Sequence, residues 1–170
     1  MATVTYANLF SEPRNNILSL ISNSSNVSDP VIFSSEYRKW IYSRFPDVKS
    51  SSFKGYPFIV IKSSDLDIET LGGTGDGKSK VVNFDIDIEV YTSDRGYGSS
   101  DGNGLSNMEA ISDDIMETLM NVTNRNTLRI AGLSSAGVSP TDISEEVQSD
   151  EILYKRIIPV SFTNRLTVSA

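Results

Sequence analysis

Two short patterns in the chain carry residue types that could do chemistry. The first is "LGGTGDGKSK" at residues 71–80, where Gly72, Gly77, Lys78 and Ser79 satisfy the spacing of a phosphate-binding loop. Such a loop works when a buried strand delivers it and a helix begins at its Lys-Ser end. The free N–H groups of that helix then aim at the phosphates. Here the residues that follow, "VVNFDIDIEV", alternate apolar and polar with the period of a strand. Gly72, Gly77, Lys78 and Ser79 therefore read as a decoy, the tip between two paired strands, and no cofactor is expected.

The second pattern is a near-repeat, "DLDIE" at 65–69 and "DIDIE" at 85–89. If these segments pair antiparallel about a tip near Gly75, Asp65 comes close to Asp85 or Asp87. Asp65, Asp67, Glu69, Asp85, Asp87 and Glu89 then share one face. Like charges opposite one another cost about 0.2–1 kcal/mol per pair, so the arrangement needs a reason. Three readings compete. The face is solvated and discourages aggregation; or it pairs with cations, from Lys155 and Arg165 or from a partner subunit; or it binds Mg²⁺ or Ca²⁺, or supplies an acid–base carboxylate pair. Same-face neighbours on a strand stand roughly 7 Å apart, so a tight ion site needs ligands from both strands. That separation suits glycoside hydrolysis in principle, yet no aromatic residues flank the carboxylates to stack a sugar. The six residues are read as an interface or lumen face, with no catalytic residue and no metal ligand assigned.

Composition narrows the chemistry further. The chain has 170 residues, no cysteine and no histidine. Disulfides, thiolate nucleophiles, Ser-His triads and the common zinc sites are thereby excluded. A net charge of −7 argues against wrapping nucleic acid or adhering to an anionic membrane. The aromatic and basic run "YRKWIYSRF" could stack single-stranded bases, but the acidic total favours a segment covering one end of the core. No apolar run reaches the ~18 residues of a membrane span, and "MATVTYANLF" lacks the features of a signal peptide. The Asn-x-Ser/Thr triplets at Asn23, Asn26 and Asn121 are read as chance in a chain made in the cytoplasm.

The elements that must position these residues follow from periodicity. "SEPRNNILSLISNSS" reads as a first helix with Ser11 as cap and Ile17, Leu18 and Ile21 as its apolar stripe. A helix is expected over about 35–44. From "YPFIVIKSSDLDIETL" the period becomes two, with Phe58, Val60, Leu66 and Ile68 on one face. In the next strand Val82, Phe84, Ile86, Ile88 and Val90 face one way. After a glycine-rich loop at 93–105, Ser106 and Glu109 form a capping box before a helix striped by Met108, Ile111, Ile115, Leu119 and Val122. A short strand at 127–131 is weighed. The chain closes with a strand at 142–148 and a long one on which Ile152, Tyr154, Arg156, Ile158, Val160 and Phe162 alternate. Pro159 marks an edge or a bulge. The expected fold is one α+β domain, residues 1–170: a single mixed, largely antiparallel sheet of two long hairpins with helices packed on one face.

This element order resembles the tail terminator, or tail completion, proteins of long-tailed bacteriophages. The features that carry the resemblance are the helix "NNILSLIS", the strand start "GYPFIVI", and the strand "NFDIDIEVYTSD" with its polar loop. They continue with the helix "MEAISDDIMETLM" and the final hairpin "DISEEVQSDEILYKRIIPVSF". The resemblance covers roughly residues 12–168 as element order, with no motif that is specific alone. It implies a virion protein without catalytic residues, assembled in the host cytoplasm and located at the head–tail junction. Such proteins form a hexameric ring that caps the tail tube, stops its polymerisation and joins the head or neck. The implied partners are the chain itself, the tail tube protein and the neck protein, with genomic DNA as passing cargo and no membrane. Long loops at 71–80 and 93–105 and the Ser/Asn-rich stretch around 22–30 depart from the pattern. They leave a head-completion or neck protein open, and beside it a small carboxylate-dependent metal-binding module or enzyme.

Overall fold

The computed structural model describes residues 11–30, 38–70, 79–95, 103–130, 134–148 and 151–167; side chains at 64–70, 79–80, 129–130, 134–136, 148 and 164–167 lie outside that description. The fold is α+β: a mixed six-stranded sheet with three helices. In chain order the elements are α1 (Ser11–Ser22), β1 (Ile41–Tyr42), β2 (Phe58–Thr70), β3 (Ser79–Ser93), α2 (Gly104–Met120), α3 (Val122–Ile130), β4 (Ser134–Val138), β5 (Ser144–Gln148) and β6 (Glu151–Thr167). The sheet runs β1-β2-β3-β6-β4, and β5 also pairs with β6, further along its outer edge. All pairings are antiparallel except β1 with β2.

The β2–β3 hairpin forms as the alternation requires. Thr70 pairs with Lys80 and Glu69 with Val81, which centres the connection on Gly75. Residues 71–78 themselves lie outside the described residues. Ser79 opens a strand, whereas a phosphate loop would open a helix there. The parity of β2 differs from the expected one. The register slips between Ser63 and Leu66, so that Ser64 and Asp65 stand against Asp85 alone. A bulge of this kind inverts the alternation. Beyond it Leu66 and Ile68 are in register with the core residues Phe84 and Val82, but before it Ile59 and Ile61 match Val90 and Ile88. Phe58 and Val60 therefore lie on the opposite sheet face, in register with Tyr91 and Glu89.

One face of the sheet is covered by helices. Ile17 and Ile21 of α1 and Met108, Ile111, Ile115 and Leu119 of α2 pack with Ile59, Ile61, Ile86, Ile88, Ile158, Val160 and Phe162 in one core. The Phe84 and Phe162 rings stack at 5.3 Å. Burying an aliphatic side chain of this size contributes about 1.5–3 kcal/mol, which makes this layer the main source of stability. Among the described residues, no helix is long and apolar enough to cross a membrane.

Several local expectations are corrected. No helix occupies 38–44: Trp40 enters the core, Ile41 and Tyr42 form β1, and the Ile59 N–H donates to the Trp40 carbonyl at 2.8 Å. Residues 31–37 lie outside the described residues. The capping box at Ser106 does not form, because α2 starts earlier, at Gly104. Asp94 meets that helix start instead, accepting from the Gly104 N–H at 3.2 Å and from the Tyr154 hydroxyl at 3.2 Å. A Cβ at Gly104 would sit 2.7 Å from both Asp94 Oδ1 and Tyr154 Cε2, so only glycine fits. The stripe of α2 ends at Leu119; Val122 is 72% exposed and belongs to α3. The Asn121 side chain accepts from the Thr123 N–H at 2.9 Å and so starts α3, which replaces the strand weighed at 127–131. Pro159 marks a break in pairing rather than a sheet edge, since β6 is flanked by β3 on one side and by β4 and β5 on the other. Its carbonyl accepts from Ser139, and its nitrogen, which has no proton to donate, faces the gap between β4 and β5.

Candidate functional site on the second sheet face

The face of the sheet turned away from the helices carries the candidate residues, and its two ends are built differently. At the end where β2 starts, Phe58 is fully buried at the centre of an aromatic cluster. Tyr91 stacks on it at 4.8 Å, Tyr56 lies tilted at 5.3 Å, and Phe53 and Phe45 meet it edge-on at 5.3 and 5.6 Å. Tyr42 completes the ring of contacts at 6.2 Å. The aromatic richness of residues 40–58 thus serves both faces: Trp40 goes to the helical core, its neighbours to this cluster.

Arg38 ties this segment down. Its guanidinium donates to both Asp29 oxygens and to the carbonyls of Gly55 (3.0 Å), Pro57 (2.8 Å) and Lys54 (3.3 Å). All five N–H groups are thereby used, in the planar fork that only arginine offers. Sequence reasoning had noted Arg38 only as one cation among aromatics.

Next to the cluster lies Glu89, 3% exposed. Lys62 Nζ stands 3.0 Å and Lys155 Nζ 2.9 Å from Oε1, while the Tyr91 hydroxyl donates to Oε2 at 3.0 Å. Burial pushes the Glu89 carboxyl up, but hydrogen bonds from Lys155, Lys62 and Tyr91 outweigh it and hold the group below its ordinary value. Burial, reinforced by the Glu89 charge and its hydrogen bond, pushes the Tyr91 phenol strongly up. Glu89 is fixed as a carboxylate and Tyr91 as a neutral phenol, so neither is poised to exchange a proton near neutral pH. The carboxylate is thus held between two ammonium groups and a phenol, with Lys155 also 5.4 Å from the Tyr91 ring.

Further along β3 the face becomes polar. Asp87 is in register with Lys62 and Pro159, Asp85 with Ser161, and Asn83 with Thr163, whose hydroxyl donates to it at 2.9 Å. Asp65 lies in the bulge against Asp85, Asp67 is in register with Asn83, and Glu69 with Val81. The side chains of Asp65, Asp67, Glu69 and Arg165 are outside the described residues. The hairpin therefore brings the two acidic repeats together only where Asp65 stands against Asp85; Asp67 and Glu69 lie against Asn83 and Val81, Asp87 lies against Lys62, and Glu89 is held by the two lysines. Among the described residues, no group of three or more acidic side chains is placed to hold a metal ion. Comparison with known protein families and with curated proteins finds no match to this chain.

Proposed function

We propose that this chain is a structural protein of a long-tailed phage virion, a tail terminator whose hexameric ring caps the tail tube and joins it to the neck. The observation that carries the reading is the sheet itself. Strands β2, β3 and β6 run for 13, 15 and 17 residues, far beyond the usual five or six. Helices seal one face, and the other is an ordered surface of packed rings and a carboxylate held by two lysines. That is the build of an assembly part. The element order supports the same reading: α1, a strand entered through Gly55, Tyr56 and Pro57, a long partner strand, α2, and a closing hairpin.

Within this reading Asp85 and Asp87, with Asp65 against Asp85 and Asp67 and Glu69 further along β2, line the channel through which DNA passes. Carboxylates there do not hold the phosphate backbone as cations would. Glu89 has the separate task of closing the aromatic end of the face. The test is immunogold electron microscopy with an antibody to this chain, applied to particles from a phage lysate. Gold at the head–tail junction is expected. Unlabelled intact particles, with the epitope shown to be accessible on free protein, would remove the reading. Tails that overrun their normal length when the chain is omitted from assembly would single out the terminator over a neck ring.

A further inference from the structure

The two lateral edges of the sheet carry opposite charge at the same level. Phe58, Tyr91, Lys155 and Ser144 are in register across β2, β3, β6 and β5, and β1 joins β2 at the adjacent residues Ile59 and Val60. The β1 and β5 edges are therefore separated by four strand spacings, roughly 19 Å, with neither displaced far along the strands. On the β1 side Lys39, Arg44, Lys49 and Lys54 are all exposed, with Asp47 as the acidic residue among them. On the β5 side Asp142, Glu145 and Glu146 are exposed, with the half-buried Lys155, in register with Ser144, and Arg156, bonded to the Thr141 carbonyl, as the cations beside them.

Each edge also exposes apolar surface. Phe45 is 53% and Val48 46% exposed on the basic side, and Val147 is 74% exposed on the acidic side. An open depression of about 570 Å³, lined by Lys39, Tyr42, Arg44, Phe45, Pro46 and Phe53 among others, lies on the basic side. An apolar side chain framed by carboxylates fits a depression of aromatic rings framed by cations.

From this placement we propose that the β5 edge of one copy docks against the β1 edge of the next, with Val147 entering the depression beside Phe45 and Glu145 and Glu146 facing Lys39 and Arg44. The occupant is a second copy of this chain. Because the two patches differ and lie on opposite edges, the contact is head-to-tail, the type that repeats and gives a ring where the rotation between copies closes. The inference rests on the ring reading above and adds which edges meet.

Charge reversal tests it on the full chain by sedimentation at low salt. One variant carries Lys39→Glu with Arg44→Glu, the other Glu145→Lys with Glu146→Lys; circular dichroism verifies that both fold. Wild type is expected to associate, and less so as salt rises. Either variant alone should associate at least about tenfold more weakly, since like charges then meet at every contact. A one-to-one mixture should assemble again, in alternation, and so should one chain carrying all four changes. Variants that assemble as wild type does, a mixture that stays apart, or a wild type that remains monomeric at high concentration would each overturn the inference. Gold at the junction together with unaffected assembly would leave the ring and move its contact elsewhere. Absence of gold would remove the ring and leave the charge-swap result standing for the contact between copies.

Discussion

Ile88 and Glu89 are neighbours on β3, both sealed from water, and on opposite faces of one sheet. Ile88 is buried by helices and needs nothing beyond close packing. Glu89 is buried beside Val60 and the aromatic cluster, and it needs two ammonium groups and a phenol to be there at all. The helical face was legible as a pattern of apolar residues. The second face is a layer assembled from distant parts of the chain, with Lys62 on β2, Tyr91 on β3, Lys155 on β6 and the rings of residues 42–56. One face is a core by composition, the other by arrangement.

The largest test of this comparison is Phe58→Ala. If the aromatic end is a second core, the loss should match a deep core truncation, about 3–5 kcal/mol in urea or guanidinium unfolding. Ile88→Ala provides the reference, at about 2–5 kcal/mol. A cost below ~1 kcal/mol for Phe58→Ala would mean that the cluster is a loose cover and that all the stability resides under the helices.

Glu89→Gln should have a smaller effect, about 1–2 kcal/mol at neutral pH, because the flanking lysines are partly exposed and regain water. The pH dependence gives it a signature. The Glu89 carboxyl is held below its ordinary value of 4.5, so its contribution is fully present above that pH and is lost as pH falls through the folded value. Asp114 works in the opposite sense: burial, then Glu117 and Asp113, push its carboxyl up, so its ionised form weakens the fold as pH rises. The difference between wild type and Glu89→Gln isolates the first effect. It should be largest at neutral pH and shrink toward zero below pH 4.5. A difference that is flat with pH would show that the carboxylate charge contributes nothing there.

The contrast also explains which elements could be read from the residues. "VVNFDIDIEV" was readable because one side of β3 faces only the apolar core, which forces strict alternation. "FIVI" at 58–61 was misread because both faces are buried there, and the bulge at Ser64 and Asp65 reverses parity where no residue type announces it. The helix expected over 35–44 does not form over the described residues 38–44, where Trp40 enters the helical core and Tyr42 joins the opposite face, although a spacing of two would put both on one side of a regular strand. β4, "SSAGV", has weak strand formers and exists because the edge of β6 pairs with it. α3 is mostly polar, is anchored by the buried Leu128, and starts at its Asn121 cap. The start of α2 was missed because its acceptor, Asp94, lies across a loop. Of the candidate site, the placing of Asp65 against Asp85 was legible from their spacing about Gly75. Lys155 was among the cations weighed for this face and does meet Glu89; Lys62 was not, because the bulge in β2 decides which of its residues share that face.

At the other end of the same face, Asp85→Asn is the smallest perturbation and the most direct check on the channel reading. Asp85 is half-buried, in register with Ser161, and the bulge residues stand across from it. If this end is surface, the substitution should change stability by less than about 0.5 kcal/mol. A stabilisation of that size would mean that repulsion between Asp85 and Asp65 across the bulge is partly relieved. An ion site or a buried pair would instead respond with a loss of well over 1 kcal/mol. Purified Asp85→Asn and wild-type protein, melted side by side in chelator and again with added Mg²⁺ or Ca²⁺, separate these cases. Equal melting temperatures in all conditions are what a channel lining predicts, since a surface past which DNA moves has to stay charged without being needed by the fold.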